Sequence, residues 1–189
     1  MNSNYSKIIS WSISTLKQKQ DLLRMILTKD MNDYTKKQLK FYNASIGSHI
    51  RHSCDHYDKI LTLYDTRVIQ YDKRLRNTTI EYDINYAINR CNDLIQTLRS
   101  TDTSKSPHPN HPVIIEFQCN NNTSSNSDDN MVQLGSDVMR ELAFVTHHAV
   151  HHISTIKLMM EDMNYNFQKD SVYGLANSTI SSNSKVDNK

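Results

Sequence analysis

The chain has 189 residues, of which 22 are lysine or arginine and 20 are aspartate or glutamate, so its formal net charge is only +2. This near balance argues against a nucleic-acid-binding protein, whose affinity depends on a basic surface. With 3 glycines and 3 prolines the chain is poor in turn residues, which disfavours a β-sandwich or a glycine-rich nucleotide-binding fold and favours long helices.

A chain of this length suits a single domain, which we place at residues 1–176, followed by a disordered Ser/Asn-rich tail at 177–189. No apolar run approaches the roughly 20 residues needed to cross a bilayer, and the N-terminus lacks the pattern of a secretory signal. The 3 cysteines are an odd number without CxxC spacing, which indicates a reducing compartment. We therefore expect a cytoplasmic protein without membrane association.

The first half of the chain carries three helical patterns. Apolar residues recur at helical spacing over residues 6–27 and 80–98. Between them, Ser45 is a suitable N-cap for a helix that continues to about residue 64. The intervening segment 67–79 is charged and unpatterned, so no element is predicted there.

The composition of the chain changes after the third helical pattern. Residues 101–112 contain all 3 prolines and predict a loop, and residues 113–117 (VIIEF) are β-prone. Residues 120–130 (NNNTSSNSDDN) are of low complexity and predict a mobile loop. Residues 131–134 can return as a second short strand, which would make a hairpin with a long tip.

The last helical pattern covers about residues 137–163, with Ser136 as its predicted cap and Asp137 favourably placed in the first turn. Four helices in succession predict an all-α, up-down four-helix bundle with a small β-hairpin before the last helix.

Histidine is the distinctive residue of this chain. Seven of the 9 histidines fall in two clusters on predicted helices. They are His49, His52 and His56 in the first cluster and His147, His148, His151 and His152 in the second. Residues four apart share a helix face, so each i, i+4 pair of the second cluster can share a metal ion, and a third imidazole from the facing helix would complete a site with open positions.

The helical wheel separates the second cluster into two pairs. At about 100° per residue, His148 and His152 flank the apolar arc of the last helix, whereas His147 and His151 point away from it. A cleft at the margin of the core is where a metal with an open position would lie. His148 and His152 are therefore the candidate ligand pair.

The first cluster is less decisive. His49 and His56 lie nearer the apolar arc of their helix than His52 does, and periodicity alone does not choose among the three. The alternative for both clusters is a polar stripe of structural or surface histidines.

Three stretches resemble one protein family. Residues 45–57 (SIGSHIRHSCDHY) are similar to the second-helix motif of DinB-like, or YfiT-like, four-helix-bundle proteins. Residues 71–76 (YDKRLR) followed by 80–83 (IEYD) resemble the connection after that helix in one branch of the family. Residues 140–144 (RELAF) and 148–153 (HAVHHI) resemble its last helix. The resemblance extends over almost the whole chain.

The resemblance implies a metal site. In the family, one histidine of the second helix and an HxxxH pair of the last helix bind a divalent metal. Aligned on Asp55, the second-helix ligand falls on His52, and the last-helix pair falls on His148 and His152, in agreement with the wheel. The metal would be a single transition-metal ion such as zinc, nickel or iron, since imidazole suits all three.

The extra histidines His49 and His56, together with Asp55, are candidates for supporting the ligands from outside the coordination sphere. The Asn-rich insertion at residues 120–130 departs from the family pattern, so no substrate pocket is assigned to it.

By resemblance, the first functional hypothesis is a metal-dependent transferase or isomerase that uses a low-molecular-weight thiol. The alternative is a non-catalytic metal-binding bundle, such as a stress-related interaction protein, so enzymatic activity is left open. Some relatives form homodimers, which this sequence neither requires nor excludes. Four arginines are candidates for binding an anionic cosubstrate, although surface or interhelical ion pairing is the commoner role: Arg51, Arg74, Arg76 and Arg140.

Two further reactive side chains have structural interpretations. Cys54 is expected to be a buried packing thiol rather than a nucleophile. Glu141, in the RELAF stretch, is expected to hold structure rather than to act on a substrate.

Overall fold

The computed structural model describes residues 3–63, 67–73, 75–100, 108–119, 131–168 and 171–175. The predicted tail at 177–189, the Asn-rich loop at 120–130 and most of the proline-containing loop lie outside these residues, so those predictions stay predictions.

Four long helices carry the fold: α1 (Ser3–Lys29), α2 (Ile46–Leu61), α3 (Ile84–Arg99) and α4 (Val138–Asp162). Helix α1 contacts α3 and α4, and α2 contacts the same two helices, so the four helices surround a common apolar core. The four predicted helices are thus confirmed, and α2 and α4 face each other directly. None of the described helices combines the length and the apolar character that crossing a membrane requires.

Side-chain caps fix where α2 and α3 begin. Ser45 caps α2 as predicted, because its hydroxyl accepts from the backbone N–H of Ser48 while the Ser48 hydroxyl accepts from the backbone of Ser45. Helix α3 begins later than predicted: Thr79–Glu81 forms a single 3-10 turn, and the Asp83 carboxylate then caps a new helix. The apolar pattern of residues 80–98 runs through both pieces and does not reveal the break.

The cap of α4 is Asp137 and not Ser136. The Asp137 carboxylate accepts from the backbone N–H of Arg140 at 2.9 Å. Ser136 is instead paired with Val113 in the sheet, and its hydroxyl donates to Glu141 at 2.6 Å. The strand therefore continues to the residue at which the helix begins.

A three-stranded sheet packs beside the helices, with strands β1 (Val68–Gln70), β2 (Pro112–Gln118) and β3 (Met131–Asp137) in that order. Strands β2 and β3 form the predicted antiparallel hairpin, and β1 adds a parallel strand that was not predicted. With three residues, only one of them buried, β1 is too short to show an alternating pattern. Its buried residue Ile69 joins Val113 and Ile115 in the core.

Candidate metal centre

The contact between α2 and α4 brings the predicted ligands to one place. His148 Nε2 lies 3.0 Å from His52 Nε2 and 3.1 Å from His152 Nε2. The ring centroids of His52 and His152 are 4.7 Å apart. Of the three imidazoles that the motifs single out, His148 therefore lies close to both of the others. His147 and His151 are exposed on α4, as the helical wheel predicts.

His56 also belongs to the cluster. One ring nitrogen from each of His52, His56 and His148 lies within 4.8 Å of the others, so these three side chains can hold a metal ion. His56 Nδ1 lies 2.8 Å from the backbone oxygen of His52. Because a carbonyl can only accept a hydrogen bond, Nδ1 carries the proton and Nε2 keeps its lone pair. His56 was predicted to support the ligands from outside, yet its tautomer leaves it able to coordinate.

The Nε2 atoms cannot all satisfy one another. A neutral ring nitrogen carries either one proton or one lone pair, and it presents a single direction in the ring plane. His148 Nε2 has close neighbours in both His52 and His152, so it cannot donate to one and accept from the other. A cation at the convergence point would accept a lone pair from each ring at once. The donor arrangement therefore fits a metal better than it fits a hydrogen-bonded chain.

His49 supports the cluster from α2. Its Nδ1 lies 2.9 Å from Nδ1 of His152, and its own Nε2 is buried without a hydrogen-bond partner among the described residues. If His152 turns Nε2 to a metal, its Nδ1–H donates to His49, which fixes the ring orientation in the way that partners outside the coordination sphere commonly do.

Burial keeps these two imidazoles neutral. Removal from water lowers the pKa of His152, and positive charge on His148 and His52 would lower it further. Burial likewise lowers the pKa of His49, with a smaller contribution from His151. Metal binding requires the neutral form of histidine, in which a ring nitrogen carries a lone pair. Burial therefore favours the form of these two side chains that can bind a metal near neutral pH.

Ion pairs account for two of the four candidate arginines. Arg51 is buried, its Nη1 lies 3.0 Å from Asp55 Oδ2, and its Nε lies 2.7 Å from Glu81 Oε1. Asp55 is thus held by Arg51. Arg140 Nη1 lies 2.6 Å from Glu141 Oε1. Both arginines make the ion pairs that were expected as their commoner role, and Arg74 lies outside the described residues.

A cavity of about 300 Å³ opens onto the cluster. Its lining residues are Ser48, His49, Arg51, His52, Arg76, Asn77, Glu81 and His152. Arg76 is exposed and makes no ion pair with any described residue. A small molecule entering this cavity would meet two of the converging imidazoles and one unpaired guanidinium.

Two aromatic rings cover the cluster on other sides. Tyr71 stacks on His56 with centroids 4.8 Å apart and planes 8° from parallel, and Phe144 stacks on His148 at 6.0 Å and 16°. The Tyr71 hydroxyl donates to Glu141 Oε2 at 2.8 Å, and burial, followed by this carboxylate, raises the pKa of Tyr71. Glu141 is 2% exposed and has the structural role expected of it.

Sequence reasoning did not select Tyr71, because the segment around it shows no periodicity. The available signal was the YDKRLR stretch, in which Tyr71 is the first residue. Cys54 is 1% exposed, and its thiol is free and buried, which agrees with the expected packing role.

No protein family model matches the chain, and comparisons with curated proteins and with solved structures also return no match. The likeness to DinB-like proteins therefore rests on the quoted motifs alone and stays a prediction.

Proposed function

We propose that the protein is a metal-dependent enzyme of the DinB-like kind, with an up-down four-helix bundle and one divalent transition-metal ion. The ion would be held by His52, His148 and His152, with His56 as a fourth imidazole within reach. The observation that carries this proposal is the position of His148 Nε2, which lies 3.0 Å from His52 Nε2 and 3.1 Å from His152 Nε2. Histidine binds such ions at about 2.0–2.1 Å, and twice that length exceeds the 3.0 and 3.1 Å separations, so one ion can bond neighbouring rings together.

The proposed reaction is the transfer or isomerisation of an electrophilic group by a small thiol. A divalent ion bound to neutral imidazoles acts as a Lewis acid and stabilises a thiol as its thiolate. In a transfer, the thiol proton passes to solvent and sulfur attacks an electrophilic carbon. The sulfur–carbon bond forms while the bond from that carbon to its leaving group breaks, and the leaving group takes the electron pair.

The 300 Å³ cavity supports an anionic thiol as the cosubstrate. Arg76 provides a cation at the cavity wall, while Arg51 is already neutralised by Asp55 and Glu81. A carboxylate on Arg76 would leave the sulfur end of the same molecule to face His52 and His152, which line the same cavity.

Elemental analysis of purified protein tests the metal site. The wild type should carry one equivalent of a transition metal, and His148→Ala should lose it. His147→Ala is the matched control, because His147 is the neighbouring residue on α4 and is exposed. His56→Ala tells a four-imidazole site from a three-imidazole site by its effect on affinity. Equal metal content in His148→Ala and His147→Ala would contradict the site.

Turnover of glutathione or cysteine with monochlorobimane tests the enzymatic part. The metal-loaded wild type and His147→Ala should accelerate conjugation, whereas chelated protein and His148→Ala should not. Arg76→Gln should raise KM for the thiol more than it lowers kcat. Identical rates for loaded and chelated protein with every thiol and electrophile tested would leave the non-catalytic metal-binding bundle as the surviving hypothesis.

A further inference from the structure

A second cavity, of about 380 Å³, lies between the sheet and the N-terminal half of α4. Six of its lining residues matter here: Tyr71, Phe117, Leu134, Gly135, Arg140 and Phe144. None of its lining residues lines the cavity that opens onto His52 and His152. Its volume falls in the range of about 300–1,000 Å³ that small-molecule sites occupy.

Aromatic and aliphatic side chains form the walls of this second cavity. Phe144 is 46% exposed and Leu134 is 53% exposed, which are high values for large apolar residues. The rings of Tyr71 and Phe144 lie 5.5 Å apart and are tilted by 53°. One face of each ring stacks on an imidazole, and the remaining surface of each ring lines the cavity. A planar apolar group would find two aromatic surfaces meeting at a corner.

Inward-facing residues of the hairpin form the sheet side of this cavity. Leu134 pairs with Ile115 and Ser136 pairs with Val113, and both partners are buried, so these side chains share the inner face of the sheet. Gly135 pairs with Ile114, which is 37% exposed. A side chain at Gly135 would therefore point to the opposite, exposed face, where a Cβ meets no atom within 4 Å.

The Arg140 guanidinium lies at the edge of the same cavity, paired with the Glu141 carboxylate that also lines it. The Arg140 side chain is 70% exposed. Its Nη1 contacts Glu141 Oε1 at 2.6 Å and Ser136 Oγ at 3.3 Å. A guanidinium has five N–H donors in a planar fork, so these contacts leave donors for a carboxylate or sulfonate.

We propose that this cavity is a second ligand site, which binds a small planar aromatic anion with its ring system against Tyr71 and Phe144, its edge against Leu134 and its anionic group on Arg140. The proposal does not depend on a metal at the histidine cluster. The occupant would lie one aromatic layer away from His56 and His148, and not among them.

Fluorescence titration with 8-anilinonaphthalene-1-sulfonate, a planar aromatic anion, tests the site. The folded wild type should bind one equivalent saturably. Leu134→Ala should weaken binding by about tenfold, because it removes the apolar side chain at the edge of the ligand, whereas Gly135→Val, whose side chain points to the other face of β3, should leave the affinity unchanged. Arg140→Gln should also weaken it. Leu158→Ala is the control, since Leu158 is a 55% exposed leucine on α4 outside the cavity.

Metal content of the same variants separates this proposal from the proposed function. Leu134→Ala should keep the metal content of the wild type, and His152→Ala, which removes a lining residue of the first cavity only, should keep the affinity of the wild type for the probe. Circular dichroism checks that each variant is folded, and the Arg140→Gln result stands if Leu134→Ala is not. Absence of saturable binding to the wild type would overturn the proposal, as would an affinity that neither Leu134→Ala nor Arg140→Gln changes.

Discussion

At the scale of single residues, the histidine cluster links pH to stability. The pKa of His152 is lowered in the folded protein by burial, followed by positive charge on its histidine neighbours, whereas in the unfolded chain it returns to its ordinary value of 6.5. Below pH 6.5 the unfolded state then binds more protons than the folded state, and stability falls with falling pH. At higher pH both states are neutral at this residue and the effect disappears.

The prediction is made for protein whose metal has been removed by a chelator, because a bound ion would compete with protons for the histidine nitrogens. Between pH 6.5 and 5 the free energy of unfolding should fall by about 1.6 kcal/mol through His152 alone, because the unfolded residue is half protonated at pH 6.5 and the full slope of 1.36 kcal/mol per unit applies only at lower pH. Urea unfolding at the two pH values measures this change. His152→Gln should show a smaller pH dependence, and equal slopes for the two proteins would contradict the assignment.

Lys19 is a second residue whose environment makes a prediction. Its side chain is 0% exposed, and Nζ has no hydrogen-bond partner among the described residues. The centroid of the Tyr57 ring lies 5.3 Å from Nζ. A cation–π contact offsets only part of the cost of burying an ammonium group.

Lys19→Met, which keeps the shape and removes the charge, should therefore raise the free energy of unfolding by about 1–3 kcal/mol. Lys17→Met is the matched control, because Lys17 is two residues away on α1 and exposed. Chemical denaturation of both variants measures the difference. A loss of stability in Lys19→Met that Lys17→Met does not share would show that the ammonium has a stabilising role.

At the scale of elements, Gly47 controls how closely α2 approaches the 3-10 turn Thr79–Glu81. A methyl group at Gly47 would overlap the carbonyl of Glu81 and would come within 3.1 Å of Tyr34 Cε1. Gly47→Ala should therefore push the turn away and destabilise the fold by about 3 kcal/mol. Gly135→Ala, which places its methyl in open space, should change stability far less. Thermal melts compare the two, and equal shifts would contradict the close approach.

The same elements show what the sequence could predict. Helices α1 to α4 were predictable because each carries an apolar stripe long enough to show a period. Strand β1 was not, since three residues cannot show a period and its pairing with β2 joins residues 46 apart, Val68 with Ile114. The late start of α3 was missed because Ile80 and Ile84 are both buried, so the apolar pattern continues across the cap.

Part of the candidate site could likewise be predicted from the sequence, and part could not. The helical wheel selected His148 and His152 from α4 alone, because four-residue spacing is a local property. The position of His56 depends on how α2 and α4 pack together, which no single-helix pattern contains. Tyr71 and Glu141 come from separate segments and meet only through the tertiary fold.

At the scale of the whole molecule, the histidine cluster joins the two helices that contain its members. Elsewhere the contact between α2 and α4 is largely apolar packing, while at the cluster His52 and His56 of α2 lie close enough to His148 of α4 for the three to hold one metal ion. A ligand that binds only the folded state stabilises that state in proportion to the logarithm of its concentration over its Kd. An ion bound across α2 and α4 should therefore act on the stability of the entire fold.

Chelation should lower the Tm of the metal-loaded protein, and metal added back should restore it. At a free metal concentration about 1,000 times Kd the stabilisation is about 4 kcal/mol, which corresponds to roughly 8–16 °C for a chain of this size. Scanning calorimetry with and without EDTA measures the shift. His147→Ala should keep the shift and His148→Ala should lose it, because only the second variant removes a converging nitrogen. A Tm that is unchanged by chelation in metal-loaded wild type would show that the metal does not bind preferentially to the folded state, and the proposed centre would be wrong.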